Sequence, residues 1–365
     1  MKAEMRIPLY QPYKAKNQRN YVIDCVESNW ISSRGKYGRL FEEAFCNYTS
    51  INYATTVANG TVALHLAMHV LKLPKNSKVI VPSFTYIASV NAIVISGMTP
   101  KFCDCDETNG QVTLEDIETA YDSSVSAVII PHLYSGMSGD IEKIVLFCKE
   151  KGLKIIEDCA EALGTRYKNQ HSGCFGDIAT FSFFGNKTIT TGEGGMVASN
   201  NPELIVKAEK LKSQAVTAPG VYIHDELGFN YRLTNIQSAI GFAQFEDFDI
   251  IDKKKRKIHK EYLLGVASTK FKMLTFGRDV SHCAWLNVII EGEKGLTQKL
   301  KKKLEACGVE TRPLFFPSHK MKMYEKQGFS LPKTEGFHKK GLCLPSFPDM
   351  TEEQISYVVD CIKNV

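Results

Sequence analysis

Four short segments of the 365-residue chain carry residue types that could do chemistry together. The run Phe181-Ser182-Phe183-Phe184-Gly185-Asn186-Lys187-Thr188-Ile189-Thr190-Thr191-Gly192-Glu193-Gly194-Gly195 sets one lysine between aromatic residues and a glycine-rich turn. Desolvation by Phe181, Phe183 and Phe184 is expected to free that amine as a nucleophile for a carbonyl. Gly192, Gly194 and Gly195 are expected to let the backbone pass close to a flat ligand. The run Ile155-Ile156-Glu157-Asp158-Cys159-Ala160-Glu161 leads an apolar strand straight into carboxylates. Asp158 should therefore emerge at the strand's carboxyl end with little water around it, which is costly unless it meets a cation or a donor. A protonated pyridine nitrogen would be such a partner and would keep the ring an electron sink; capping the next helix is the plainer role. Asn59-Gly60-Thr61-Val62-Ala63-Leu64 reads as a turn opening a helix. Free N–H groups, a glycine and a hydroxyl there make a seat for phosphate, although the same residues also serve as a simple cap. Pro82-Ser83-Phe84-Thr85-Tyr86 places an aromatic just after a strand, either to stack on a ring or to fill the core.

These segments need elements to hold them. TVALHLAMHVLKL (61–73) has helical spacing, SKVIVPSF (77–84) is a β-rich run, NAIVISGM (91–98) is helical and TPKFCDCD (99–106) extended. VSAVIIPHLY (125–134) is nearly continuous in apolar residues, as buried parallel strands are. EKIVLFCKEKG (142–152) is an amphipathic helix ended by glycine, and LKIIEDCA (153–160) is the next strand. Strands alternating with helices imply an α/β fold with a mostly parallel sheet covered on both faces. Ligands of such sheets sit beyond the carboxyl ends of the strands, where the four segments fall. After about residue 250 the texture changes: a basic helix (246–264), the strand-like WLNVIIEG (285–292), a helix (296–306), the FSLP region and a last helix (351–363). Two units are therefore expected, a large one over 1–250 that includes the N-terminal segment and a smaller α/β unit over 251–365.

Composition excludes several classes. With 44% hydrophobic and 23% charged residues the chain is ordinary for a soluble globular protein. Lysines and arginines exceed acidic residues by 45 to 40, and the resulting +5 is spread rather than gathered into a stripe, so no nucleic-acid partner is expected. The runs Lys253-Lys254-Lys255-Arg256-Lys257 and Lys301-Lys302-Lys303 read as solvated helix faces, with anion binding as the alternative. Eleven cysteines are scattered; the nearest pair, Cys103 and Cys105, belongs to no C-x-x-C and to no zinc-like spacing, which points to reduced thiols and no metal. The start MKAEMRIPLYQPY has no apolar h-region and no run of eighteen apolar residues follows, so a cytoplasmic location without a membrane partner is expected.

The run FSFFGNKTITTGEGGMV resembles the cofactor-lysine segment of the DegT-type nucleotide-sugar aminotransferases. NGTVALHLA, VPSFTYIASVNAI, IIEDCAEALG, GDIATFSFF and GFNYRLTNIQSAIG resemble the other segments of that family, in the same order, and the likeness runs from about residue 7 to the LPSFP near the C-terminus. The resemblance implies an aspartate-aminotransferase-like (fold type I) large domain, a smaller C-terminal domain and pyridoxal 5'-phosphate as cofactor. It implies that Lys187 carries the cofactor and that Asp158 pairs with the pyridine nitrogen. Glu161 would lie near the ring hydroxyl, where many relatives have glutamine. Tyr86 would stack on the ring, and Gly60, Thr61 and Ser182 would hold the phosphate. Asn230 would reach the phosphate of a neighbouring subunit, which implies a homodimer with shared active sites. A dehydratase branch has histidine where this chain has Lys187, so transamination is favoured over deoxygenation.

WISSRGKY, SFFGNKTITTGEGGM and ETRPLFFPSH are similar to the branch of that family that forms GDP-perosamine. Its implied partners are L-glutamate and a nucleotide-diphosphate 4-keto-6-deoxy sugar, here GDP-4-keto-6-deoxy-mannose; a UDP- or TDP-4-keto-6-deoxy-glucose is the alternative acceptor. Trp30, Ser32, Arg34, Arg232, Arg312 and His319 lie in loops that the resemblance places around the sugar nucleotide, with arginine suited to bidentate diphosphate contact. His132, after the strand VIIP, reads as structural, with a place near the cofactor as the alternative. A nicotinamide-dependent oxidoreductase would also suit an α/β sheet, but no G-x-G-x-x-G follows the first strand. A non-catalytic cofactor binder is opposed by the presence of both Lys187 and Asp158.

Overall fold

The alternation of strands and helices is realised in the computed structural model, which describes residues 7–218 and 220–365. Residues 1–6 of the stretch read as free of an apolar leader thus lie outside the described residues. Helices α1 (Gln18–Glu27) and α2 (Lys36–Thr49) lead into β1 (Tyr53–Val57), α3 (Gly60–Val70), β2 (Lys78–Pro82), α4 (Ile87–Ile95) and β3 (Thr99–Cys103). Then follow α5 (Leu114–Ala120), β4 (Val125–Pro131), α6 (Ile141–Lys151) and β5 (Lys154–Asp158). A short pair, β6 (Arg166–Tyr167) and β7 (Gln170–His171), precedes β8 (Ile178–Ser182), β9 (Gly195–Ser199), α7 (Pro202–Lys212) and α8 (Asn235–Glu246).

Seven of these strands form one sheet in the order β1-β9-β8-β5-β4-β2-β3. Neighbours from β8 to β3 pair in parallel, while β9 runs antiparallel to both β1 and β8. The pleat sends successive side chains to opposite faces. Val79, Val81, Ala127, Ile129 and Ile156 meet α3, α4 and α7 on one side. Ile80, Val128, Ile130 and Ile155 meet α5 and α6 on the other. Parallel pairing brings the strand ends level: Pro131 lies opposite Asp158, and Asp158 opposite Thr180. That common edge is where the site forms.

The chain then runs through α9 (Phe248–Val266) into β10 (Phe271–Met273), β11 (Val280–Ser281), β12 (Asn287–Glu291), α10 (Leu296–Ala306), β13 (Arg312–Pro313), α11 (Pro332–Phe337), β14 (Gly341–Leu344) and α12 (Glu352–Lys363). A four-stranded antiparallel sheet, β10-β12-β14-β13, packs with α9, α10 and α12 around its own core. Ile7 bridges Val309 and sits in that core, and Leu9 accepts from Ser346 N. One expectation is corrected. The basic run of α9 is not wholly solvated. Lys254 and Lys257 pair with Asp349 and Glu352 at the surface, but Lys255 is fully buried and donates to the Ser346 carbonyl at 2.5 Å. Helical geometry explains it: Lys255 falls in register with buried Ile251, Ile258, Tyr262 and Val266. Burial pushes its ammonium down to about 7.

Candidate active site

A cavity of about 520 Å³ opens at the carboxyl edge of the parallel strands, between that edge and the second unit. Lys187, in the turn after β8, lines it, held by a bond from its own N–H to the Phe184 carbonyl (2.9 Å) and by Tyr10, whose hydroxyl donates to the Lys187 carbonyl. Its Nζ lies 3.7 Å from Glu161 Oε1 and 4.2 Å from the centroid of Trp285. Of the three phenylalanines expected beside the lysine, Phe184 lines the cavity next to Ser182, Phe183 packs away from it against Phe41, and Phe181, which borders the cavity, sets its ring edge-on against Phe45.

Asp158 ends β5 as a buried carboxylate at the cavity floor. Ser89 donates to its Oδ2 (2.6 Å) and Ala160 N to its Oδ1 (3.1 Å), and among the described residues no cation pairs with it. A buried anion with two neutral donors retains capacity for a positive partner. Glu161, one turn on, is equally buried; its Oε2 accepts from Tyr134 N at 2.9 Å. Burial pushes its carboxyl up to about 7, against the opposing pull of Lys187 and of Tyr134 N–H. The pleat turns the adjacent Glu157 elsewhere, where it accepts from His132 Nε2 (2.8 Å) and from the amides of Gly173, Phe175 and Gly176. Burial opposes its charge, but these donors outweigh it and hold the carboxyl below its ordinary value. His132 is thereby anchored by Glu157 and also borders the cavity. Glu157, His132 and Cys159 lie close enough to suggest a metal, yet both oxygens of Glu157 are already engaged.

Opposite the floor, α3 points its N-terminus into the cavity. Asn59 caps the helix through Val62 N (3.0 Å), and Gly60 and Thr61 line the wall beside Ser182. A methyl on Gly60 would come within 2.8 Å of Ser182 Cβ, so glycine is what lets the helix start and the strand end meet. Two of the glycines after Lys187 have another reason than the one expected. Gly195 stands where a Cβ would meet the Asn59 carbonyl at 2.6 Å, and Gly194 abuts Thr191, so they admit neighbouring chain rather than a ligand. Tyr86, largely exposed, lines the mouth 5.8 Å from Phe315, with its ring face free to stack. The helix-start amides, the unpaired buried carboxylate and the adjacent lysine fit a phosphate-bearing pyridine aldehyde.

The remaining expected residues divide. Arg312, on β13, lines the cavity. His319 does not: it is buried away from it, with Nδ1 at 2.6 Å from Ser83 Oγ and Nε2 at 3.1 Å from Glu335. Trp30, Ser32 and Arg34 occupy an exposed loop outside this chain's cavity, with the carbonyls of Trp30 and Ser32 held by Asn235. Asn230 is exposed and accepts from Arg232 at 2.8 Å, and neither lines this cavity. Sequence reasoning missed Ser89, Tyr134 and Trp285. Ser89 stands three residues after Tyr86, one helical turn into α4, and that spacing was a usable signal; Trp285 lies 98 residues from the lysine it touches and offered none.

The DegT/DnrJ/EryC1/StrS aminotransferase family description matches residues 12–363. The chain is 43% identical to the GDP-perosamine synthase of Vibrio cholerae over 98% of each chain. It is 44% identical to the GDP-perosamine synthase of Escherichia coli O157:H7, over 98% of this chain and 97% of the other. Among solved structures, DesV from S. venezuelae superposes with a TM-score of 0.89 at 27% identity, covering 95% of this chain and 94% of that one.

Proposed function

The chain belongs to the DegT/DnrJ/EryC1/StrS aminotransferase family, and from that premise we propose that it moves the amino group of L-glutamate to C4 of GDP-4-keto-6-deoxy-D-mannose, forming GDP-perosamine and 2-oxoglutarate. The enzymes of this family depend on pyridoxal phosphate. The observation that carries the reading is the placement of Lys187 Nζ, 3.7 Å from Glu161 and lining the same cavity as Asp158 and the α3 N-terminus.

When bound, pyridoxal phosphate supplies an aldehyde that takes up the amino group and a ring that accepts the electron pair of a broken C–H bond. Gly60 and Thr61 offer it backbone N–H groups for the phosphate, with the Ser182 hydroxyl beside them. Asp158 keeps the ring nitrogen protonated, held in place by Ser89 and Ala160. Tyr86 covers one ring face. Lys187 Nζ is placed to take the proton from the α-carbon of glutamate and, in the second half, to give one back at the sugar's C4, with the bound cofactor supplying the electron sink between them. It can act as base only while its amine is neutral. Arg312 at the mouth suits the diphosphate, whose two anionic groups match a planar fork of donors. Asn230, exposed and outside this chain's cavity, is assigned to the phosphate in a second copy's site, which makes a homodimer the working unit.

The test is a panel of 4-keto nucleotide sugars presented with glutamate, read by mass spectrometry of the product. A kcat/KM at least about tenfold higher for the GDP sugar is expected. Preference for UDP- or TDP-4-keto-6-deoxy-glucose would overturn the assignment of acceptor, and turnover surviving in Lys187→Ala would overturn the role of the lysine.

A further inference from the structure

Trp285 is held by two hydrogen bonds, one from its backbone and one from its ring. Its backbone N–H donates to Ser135 Oγ at 2.6 Å, and its indole Nε1–H donates to the carbonyl of Asn186, the residue before the lysine, also at 2.6 Å. The backbone just before it and the turn that accepts its N–H are both strained. Ala284, just before it, has φ +52°, and the turn that offers Ser135 contains Tyr134 at φ +51° and Ser135 at φ +73°. Side chains other than glycine and asparagine rarely adopt this left-handed region, and such outliers cluster where function over-determines the backbone. The product of the strain is a buried indole whose face lies 4.2 Å from Lys187 Nζ, on a residue contributed by the second unit.

We propose that Trp285 is a positioning residue for Lys187: its ring face is the station at which the lysine waits, as an ammonium, between taking the proton from one carbon and delivering it to the next. The inference rests on the proposed role of Lys187 as proton carrier. When the C–H bond of the substrate breaks, the electron pair stays with the conjugated cofactor and the proton converts the lysine's NH₂ to NH₃⁺. That cation forms on a side chain only 15% exposed. The electron-rich indole face and the Glu161 carboxylate are the groups placed to receive it. Because the indole N–H also holds the Asn186 carbonyl, the same residue fixes the turn from which the lysine swings.

Fluorination of tryptophan drains its face of negative potential with little change of shape, so it separates this role from packing. The full chain would be made in a tryptophan auxotroph on mono-, di- and trifluorotryptophan. In the cofactor-free protein at neutral pH, the rate of labelling of Lys187 by trinitrobenzenesulfonate, read by peptide mass spectrometry, should rise stepwise with each fluorine. About tenfold is expected over the series, the fold-change for ~1.4 kcal/mol lost from a desolvated cation–π contact. In the cofactor-loaded enzyme kcat should fall over the same series, with KM for both substrates unchanged within about twofold. Trp285→Phe made on the same fluorotryptophans should show no dependence on fluorine. A labelling rate and a kcat that ignore fluorination, with Lys187→Ala inactive, would overturn the role of Trp285 alone. Turnover by Lys187→Ala would instead overturn the proton-carrier reading, while the labelling series would still decide whether the indole holds the amine.

Discussion

Replacing Glu161 by glutamine should stabilise the cofactor-free protein, and increasingly so as pH rises. The carboxyl is buried, with its Oε2 receiving Tyr134 N–H and its Oε1 only the lysine ammonium 3.7 Å away. Desolvation holds it up to about 7, against 4.5 in the unfolded chain. Between those two pH values the unfolded state has released the proton and the folded state has kept it. The unfolded state therefore binds fewer protons, and stability falls with pH through that window. At 1.36 kcal/mol for each pH unit, the burden grows to ~3 kcal/mol by pH 8, an order-of-magnitude figure because Lys187 shares the pair. Glutamine keeps an oxygen for Tyr134 N–H but has nothing to ionise. Urea unfolding at pH 5 and pH 8, at one protein concentration because assembly would shift the midpoint, should thus show Glu161→Gln gaining ~2.5 kcal/mol on the parent between the two conditions. Titrating groups that do not touch Glu161 cancel in that difference. If the parent gains on the variant as pH rises, Glu161 is an ionised partner of Lys187 throughout, and the reasoning from burial is wrong.

Three further outcomes follow from the same geometry. Asp158→Asn keeps an acceptor for Ser89 but loses the charge that holds a protonated ring nitrogen, so kcat should drop by about 10³-fold while the cofactor's absorbance remains. Gly60→Ala brings a methyl to 2.8 Å from Ser182 Cβ and should weaken cofactor binding by about tenfold or more, measured by fluorescence titration, with the visible spectrum of the loaded enzyme intact. Lys255→Met removes a buried amine pushed down to about 7 by desolvation. A base so depressed burdens the fold below about pH 7 and ceases to do so toward 10.5, so the variant should be the more stable by ~2 kcal/mol or more at pH 6.5, with the advantage shrinking by pH 10 in thermal unfolding.

The parallel core was legible because its signal is local. Val79, Ile80 and Val81, or Ile155 and Ile156, are consecutive apolar residues bounded by turns, and a strand buried on both faces requires that pattern. Lys187 and Asp158 were legible for a related reason: each sits in a string whose neighbours announce the end of a strand, and strand ends are where a parallel sheet presents ligands. The carboxylate at 161 and the helix start at Gly60 came with those strings. The family resemblance added their roles.

What sequence order left open is what meets Lys187 in space. Counting phenylalanines along the chain suggested a lysine dried by Phe181, Phe183 and Phe184, yet only Phe184 turns wholly toward the cavity while the rings of Phe181 and Phe183 join the core below. The groups that reach the amine, Trp285 and Glu161, come from another unit and another strand, brought together by closure of the second unit over the sheet edge. Lys255 makes the same point in reverse: a basic run looks solvated in one dimension, but a period of 3.6 residues rolls one of its members into the apolar stripe of α9. Chain order determined which residues stand at strand ends and helix starts, since those depend on neighbours. Only the folded packing decided which side chains share a cavity, because that depends on pleat, helical phase and contacts across nearly a hundred residues.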